Sequence, residues 1–129
     1  MALATEGTNE TDGRGTAAAD YRTKQGCVVK IDTAADYQWV LLASLGARGD
    51  GILMNKPNTG EACEVDTDGM TKALCGAAVA SAGLELTPDA TGRLIAAVST
   101  NLVMAISFTT TAAAGEWVAI KLVGPYAKP

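Results

Sequence analysis

From Gln25 onward the chain alternates short apolar runs with clusters of Gly, Pro, Asn and Asp. Cys27 to Ile31 (CVVKI) is β-branched and reads as a strand. Tyr37 to Leu45 (YQWVLLASL) is apolar enough for a strand or a short helix, and its periodicity does not decide. Gly46, Gly49, Asp50 and Gly51 break the chain before a short buried run, Gly51 to Met54. Lys56-Pro57-Asn58-Thr59-Gly60 is turn chemistry, because Pro presets φ and Gly accepts a positive one. Glu61 to Asp66 alternates acids with Ala62, Cys63 and Val65. Asp68-Gly69 then signals a hairpin whose partner strand is Met70 to Cys75.

Further runs follow at 84–86, 93–98, 102–108 and 117–123, the last alternating as WVAIKLV. Turn signals thus recur roughly every 8–15 residues, which is the spacing of all-β folds rather than of βαβ units. The Ala-rich stretches 77–82 and 112–114 are expected to form short helical turns, too brief to stand as helices alone. Two Gly-Glu turns, at Gly60-Glu61 and Gly115-Glu116, each follow a buried run and lead into an alternating strand. They predict two similarly built hairpins in one small barrel-like fold.

Residues 1–24 differ. After Leu3 they hold almost no large apolar side chain, so they bury too little surface to fold on themselves. The expected organisation is an extended N-terminal arm over 1–24, a β-rich domain over 25–124 and a C-terminal tail over 125–129. The segment also lacks the basic and apolar regions of a signal peptide, which makes cytoplasmic synthesis the expectation.

Composition narrows the picture. The 129 residues include 24 Ala, 15 Thr and 14 Gly but only 26 Leu, Ile, Val and Phe together, so the core is expected to be thin and to need neighbours. There is no His, which excludes a Ser-His-Asp triad, a Cys-His dyad and imidazole metal ligation. A net charge of −4 with no basic stripe argues against nucleic acid as a partner. No apolar run approaches the about 18 residues needed to span a bilayer, so no membrane partner is expected.

Cys27, Cys63 and Cys75, spaced by 36 and 12, lack zinc-knuckle spacing and read as small buried apolar residues. Cys63 and Cys75 flank the expected hairpin, which leaves a disulfide between them open. Glu64, Asp66 and Asp68 with Gly69 brush the spacing of a calcium loop. The position that needs a bidentate Glu is Cys75, however, and a solvated hairpin is the simpler reading. Phosphate-loop and dinucleotide glycine motifs are absent, and no cofactor or catalytic group is expected. Trp39 and Trp117 sit in apolar runs as core or subunit-contact residues.

The ordered series Gly51-Ile52-Leu53, Asn55-Lys56-Pro57, Gly60-Glu61, Asp68-Gly69, Ala82-Gly83 and Asp89-Ala90-Thr91-Gly92-Arg93 resembles the decoration, or cement, proteins of tailed-bacteriophage heads. The stretch from Met104 through Gly115-Glu116 to Leu122 is similar to that family's last hairpin, and the resemblance covers about Gly26 to Val123. It implies an all-β, small β-barrel or β-tulip-like domain with no enzymatic activity. It further implies a homotrimer on the outer surface of the virion, stabilising the expanded capsid through the major capsid protein. On that reading the arm grips the capsid through Leu3, Thr5, Thr8, Asn9, Thr11, Arg14, Thr16, Tyr21 and Arg22, while Trp39, Trp117 and Tyr126 are subunit-interface candidates. The alternatives are a head-fibre base or other minor virion component, and a soluble ligand-binding β module.

Overall fold

The computed structural model describes residues 15–129. They form ten strands: β1 Thr16–Ala17, β2 Val28–Ile31, β3 Gln38–Leu41, β4 Gly51–Leu53, β5 Val65–Asp66, β6 Met70–Leu74, β7 Glu85–Pro88, β8 Leu94–Ala96, β9 Leu102–Ser107 and β10 Trp117–Ala127. There is no helix among the described residues. The strands make two five-stranded sheets, ordered β1-β3-β2-β4-β5 and β6-β10-β9-β7-β8. All pairings are antiparallel except β1 with β3.

Both sheets close on themselves. In the second, a parallel bridge joins Cys75, just beyond β6, to Leu94 of β8, with the Gly76 amide donating to the Leu94 carbonyl at 2.8 Å. In the first, residues 61–66 run from β1 to β4. Ala62 bridges Thr16 at one end, and Val65 and Asp66 pair with Leu53 and Ile52 at the other. The molecule is therefore two small, rolled β units built side by side.

The alternation of β2, β4 and the β3 end supplies two cores. Val28, Ile52 and Leu42 join the larger core, which is otherwise lined by the second sheet through Leu86, Leu94, Val118, Ile120 and Leu122. Their neighbours Val29 and Leu53 fill a smaller core with Ala17, Tyr21, Trp39, Cys63 and Val65, against which Leu41 also packs. Successive strand residues point to opposite faces, so two strands buried on both faces can serve two compartments. Each fully buried Val, Leu or Ile contributes on the order of 2 kcal/mol. A chain poor in large apolar residues gains from using both faces.

Gly26 joins the units. Its amide donates to the Leu53 carbonyl at 2.7 Å, and its carbonyl accepts from the Leu74 amide at 2.9 Å. Its φ of +88° is one that L side chains rarely adopt, and a Cβ there would stand 2.7 Å from the Trp117 ring. Further ties run from the Val28 amide to the Gly92 carbonyl and from the Gly46 amide to the Pro88 carbonyl, at 2.7 and 2.9 Å.

Several expectations change. Part of the expected arm belongs to the sheets, since β1 lies at Thr16–Ala17. Ala17 lies in a barrel wall, and Tyr21 is 6% exposed, its hydroxyl accepting from the Leu41 amide at 3.0 Å. Ala17 and Tyr21 thus help complete the smaller core. At the other end, β10 continues to Ala127, so residues 125–127 extend the strand instead of forming a separate tail. Asp68-Gly69 does turn the chain, with Gly69 at φ +76°, but it links the two sheets: β5 pairs with β4 and β6 with β10. The stretches 77–82 and 112–114 form no helical turns. Val79 bridges Thr111 next to the second stretch, its amide donating to Thr111 Oγ1 at 2.9 Å, a side-chain bond that competes with helical geometry.

The Gly-Glu echo survives. Gly60 and Gly115 both take positive φ in the connections of the antiparallel pairs β4–β5 and β9–β10. Glu61 Oε1 accepts the Asn58 amide at 2.7 Å and Glu116 Oε1 the Ala112 amide at 2.9 Å, so each glutamate ties its own turn.

Candidate docking surfaces

Two exposed apolar surfaces stand out. The first lies on the outer face of the second sheet. Register places Met70, Lys121, Ile106 and Glu85 in one cross-strand row, over β6, β10, β9 and β7. Val118, Ile120 and Leu122 of β10 point inward and are buried, which leaves Trp117 and Lys121 outward. Met70, Ile106, Phe108 and Val123 wall a groove of about 490 Å³, and Lys121 is the one charged residue lining it. Phe108 is 66% exposed. Near the other end of the face, Lys72 Nζ sits 4.8 Å from the centroid of the Trp117 ring.

The second surface is the tip of the β2–β3 hairpin. Ile31 pairs with Trp39 in register, so both side chains share a face with Tyr37, and the three line a smaller groove with Gln38. Ile31 and Tyr37 are exposed, Tyr37 to 53%. Asp32 and Asp36 lie in the connecting turn, where Asp32 Oδ1 accepts the Ala34 amide at 2.9 Å. Tyr37 has φ +54°, a left-handed conformation uncommon for a bulky side chain.

The expected contact residues scatter. Leu3, Thr5, Thr8, Asn9, Thr11 and Arg14 lie outside the described residues. Thr16 is exposed on β1, while its amide is engaged by the Tyr37 carbonyl at 2.9 Å. Tyr21 is a core residue and presents no free surface to a partner. Arg22 is exposed and forms a two-pronged pair with Asp20, at 2.9 and 2.8 Å, which holds the Asp20 carboxyl at about 2.

Among the interface candidates, Trp39 is 8% exposed and belongs to the smaller core, whereas Trp117 and Tyr126 are both exposed. The Tyr126 hydroxyl donates to Glu85 Oε2 at 2.6 Å, and Lys128 Nζ meets Glu85 Oε1 at 2.5 Å. Lys128 and then Tyr126 hold the Glu85 carboxyl below its usual range, and Glu85 in turn raises the Tyr126 phenol. Sequence reasoning missed Tyr37, Met70 and Phe108 as surface residues. The one available signal was position, since Tyr37 follows Asp36 at the start of its run and Phe108 precedes three threonines.

Nothing in these surfaces assembles reactive chemistry. Asp66 faces inward and accepts a hydrogen bond from Thr71 Oγ1, while Asp68 Oδ1 accepts the adjacent Gly69 amide at 2.8 Å. The acids of the would-be calcium loop therefore do not converge. Among the described residues no three His, Cys, Asp or Glu side chains are placed to hold a metal ion. The three cysteines are free and buried. Burial raises the Cys27 and Cys63 thiols above their ordinary range.

No protein-family model matches the chain, and no curated protein matches it in sequence. Among solved structures, the head fiber gp8.5 N base of bacteriophage phi29 superposes with a TM-score of 0.71, covering 89% of this chain and 95% of that one at 12% identity. The two chains share a fold. The expected small all-β, barrel-like domain is therefore seen both in the strand pairing and in the company the fold keeps.

Proposed function

We propose that this chain is a structural, non-enzymatic protein of a tailed-phage particle, seated on the outer surface of the head and bound to the major capsid protein. The observation that supports it best is the likeness in fold, over nearly the whole of both chains, to a protein described as the N base of a head fiber. The ordered turn series over about 26–123 points to the same class of virion component. The described surfaces agree in kind, since they offer apolar and charged contacts to a partner.

Two finer forms of this reading differ in stoichiometry. As a decoration protein the chain cements the expanded shell in many copies, and the turn series favours that form. As the base of a head fibre it seats a projecting element, and the described role of the structural neighbour favours that one. In both, the arm expected over 1–24 is assigned to the capsid grip, apart from Tyr21, which the smaller core takes up. An extended arm of Thr, Ala and Gly gains main-chain hydrogen bonds along a neighbouring sheet edge, and many copies on one shell offset its ordering entropy.

The experiment is co-sedimentation of the purified chain with expanded capsids, followed by counting copies per particle in electron micrographs. Saturating occupancy of the lattice identifies the cement form, and sparse occupancy with a projecting density identifies the fibre base. Failure to pellet with any capsid leaves the soluble binding module as the answer. Deleting residues 2–14 is expected to weaken pelleting sharply, and full-strength binding by that deletion refutes the arm assignment.

A further inference from the structure

Both residues of the Asp68-Gly69 turn are exposed, and the Gly69 amide donates to Asp68 Oδ1 at 2.8 Å. A main-chain nitrogen and the carboxyl group of the preceding side chain are thus held against each other. Gly69 brings no Cβ to hinder a closer approach, and no atom beyond its chain neighbours lies within 4 Å of the place one would take.

Asp50-Gly51 offers the same two residue types in opposite surroundings. Gly51 is buried in β4 and pairs with Val29, and a Cβ there would stand 2.5 Å from Val65. The Asp50 carboxylate is occupied by Arg48 Nε at 3.1 Å and by the Ile31 amide at 2.9 Å. Another such pair, Asp12-Gly13, lies outside the described residues.

We propose that Asp68-Gly69 is a site of spontaneous isoaspartate formation, so that the link between the two sheets acquires a β-aspartyl bond as the protein ages. The Gly69 nitrogen attacks Cγ of the Asp68 carboxyl group in its acid form. A nitrogen–Cγ bond forms, the Cγ–hydroxyl bond breaks, and the amide proton leaves with that hydroxyl as water. The product is a five-membered succinimide. Water then opens the ring. Cleavage of the new nitrogen–Cγ bond restores aspartate, and cleavage of the original nitrogen–carbonyl bond leaves the chain running through Cβ and Cγ. The water released in the first step is matched by the water taken up in the second, and no oxidant or reductant is needed. Contact between the reacting groups before reaction favours the site.

The β-aspartyl form adds a carbon to the backbone of this turn. The Gly69 carbonyl accepts the Leu122 amide at 2.9 Å, and the adjoining Met70 pairs with Lys121 of β10. A lengthened turn carries that carbonyl off its partner and loosens the join between the sheets. The inference goes beyond the capsid reading and does not depend on it.

The test is incubation of the full folded chain for weeks near neutral pH, well below its melting midpoint. Isoaspartate is read by methyl transfer from S-adenosylmethionine with an isoaspartyl methyltransferase, and it is located by electron-transfer fragmentation of tryptic peptides. Asp50 and Asp68 share the peptide 49–72, because Lys56 precedes Pro57 and resists trypsin. Isoaspartate at Asp68 is expected to exceed that at Asp50 about tenfold or more, since reaction at Asp50 waits on local opening of β4.

Asp68→Glu keeps the charge but closes the ring far more slowly, and it is expected to abolish methylation of that peptide. Asp68→Asn is expected to convert faster than wild type, with a gain in mass as amide becomes acid. Exchange of the Leu122 amide is expected to quicken in aged wild type and not in Asp68→Glu aged alongside. Folded wild type that forms no isoaspartate at Asp68 overturns the proposal. So does equal conversion at Asp50 and Asp68, or undiminished methylation of the peptide in Asp68→Glu. Unaltered Leu122 exchange in converted protein overturns the loosening of the join.

Discussion

The Ala17 carbonyl accepts the Gly60 amide at 2.9 Å, and the Ala17 amide donates to the Glu61 carbonyl at 2.9 Å. On its other side, the Ala18 amide donates to the Trp39 carbonyl at 3.0 Å. β1 is thus hydrogen-bonded along both edges, as a wall strand of the first unit.

A truncation that reaches through β1 is therefore expected to cost stability. Removing residues 2–22 takes out β1 and Tyr21 and opens the smaller core, so cooperative unfolding of the first unit is expected to be lost. Tyr21→Ala alone is expected to cost about 3 kcal/mol in a denaturant titration.

Gly26 and Trp117 are expected to be energetically coupled. Gly26→Ala meets both an unfavourable φ and the indole above it, so it should destabilise by about 1–3 kcal/mol. In the background of Trp117→Ala the clash with the ring disappears, while the backbone part and the 2.9 Å approach to Leu74 Cγ remain. A double-mutant cycle should then show an interaction of at least about 0.5 kcal/mol, and strict additivity would contradict the packing described.

The thiols should be inert in the folded protein. Cys27 and Cys63 are buried and raised, and Cys75 is enclosed with its Sγ 3.2 Å from both Thr111 Oγ1 and the Ala113 carbonyl. A colourimetric thiol reagent near neutral pH is expected to react with none of them until denaturant is added, and then with all three. Non-reducing and reducing electrophoresis should give the same mobility.

The clasp of Glu85 with Lys128 and Tyr126 should weaken at both ends of the pH scale. Glu85 is lowered from its ordinary 4.5, so its contribution is present above that value and lost as pH falls through the depressed one. Tyr126 is raised from 10.0, so its contribution is present below that value and lost as pH rises through the elevated one. The readout is amide exchange at Thr100 and Lys128, whose backbone bonds secure the chain end, at 2.9 Å each. Tyr126→Phe is expected to shrink the alkaline limb of that profile, where the Lys128–Glu85 pair remains, and to leave the acidic one.

The strands were largely legible because they are local. WVAIKLV alternates in burial as it alternates in the sequence, and Cys27 to Ile31 forms β2 nearly end to end. What escaped was pairing at a distance. Thr16 meets Gln38 on one side and Ala62 on the other, and no local pattern in 1–24 announces either neighbour. Asp68-Gly69 has hairpin chemistry, yet the turn hands the chain from one sheet to the other, because the partners of β5 and β6 were set by β4 and β10. Trp39 was legible as apolar, but not as belonging to a second, smaller core that one face of β2 and β4 creates. Of the foreseen contact residues among those described, Thr16, Arg22, Trp117 and Tyr126 lie outside, whereas Tyr21 and Trp39 are taken into the smaller core.

Val28 and Val29 send neighbouring side chains into different compartments, as do Ile52 and Leu53. A slip of one residue along β2 or β4 would empty both compartments of their proper occupants at once. The shared strands thus act as a ratchet pawl: tension on one unit reaches the other through paired backbone, and neither can creep out of step without the whole molecule yielding.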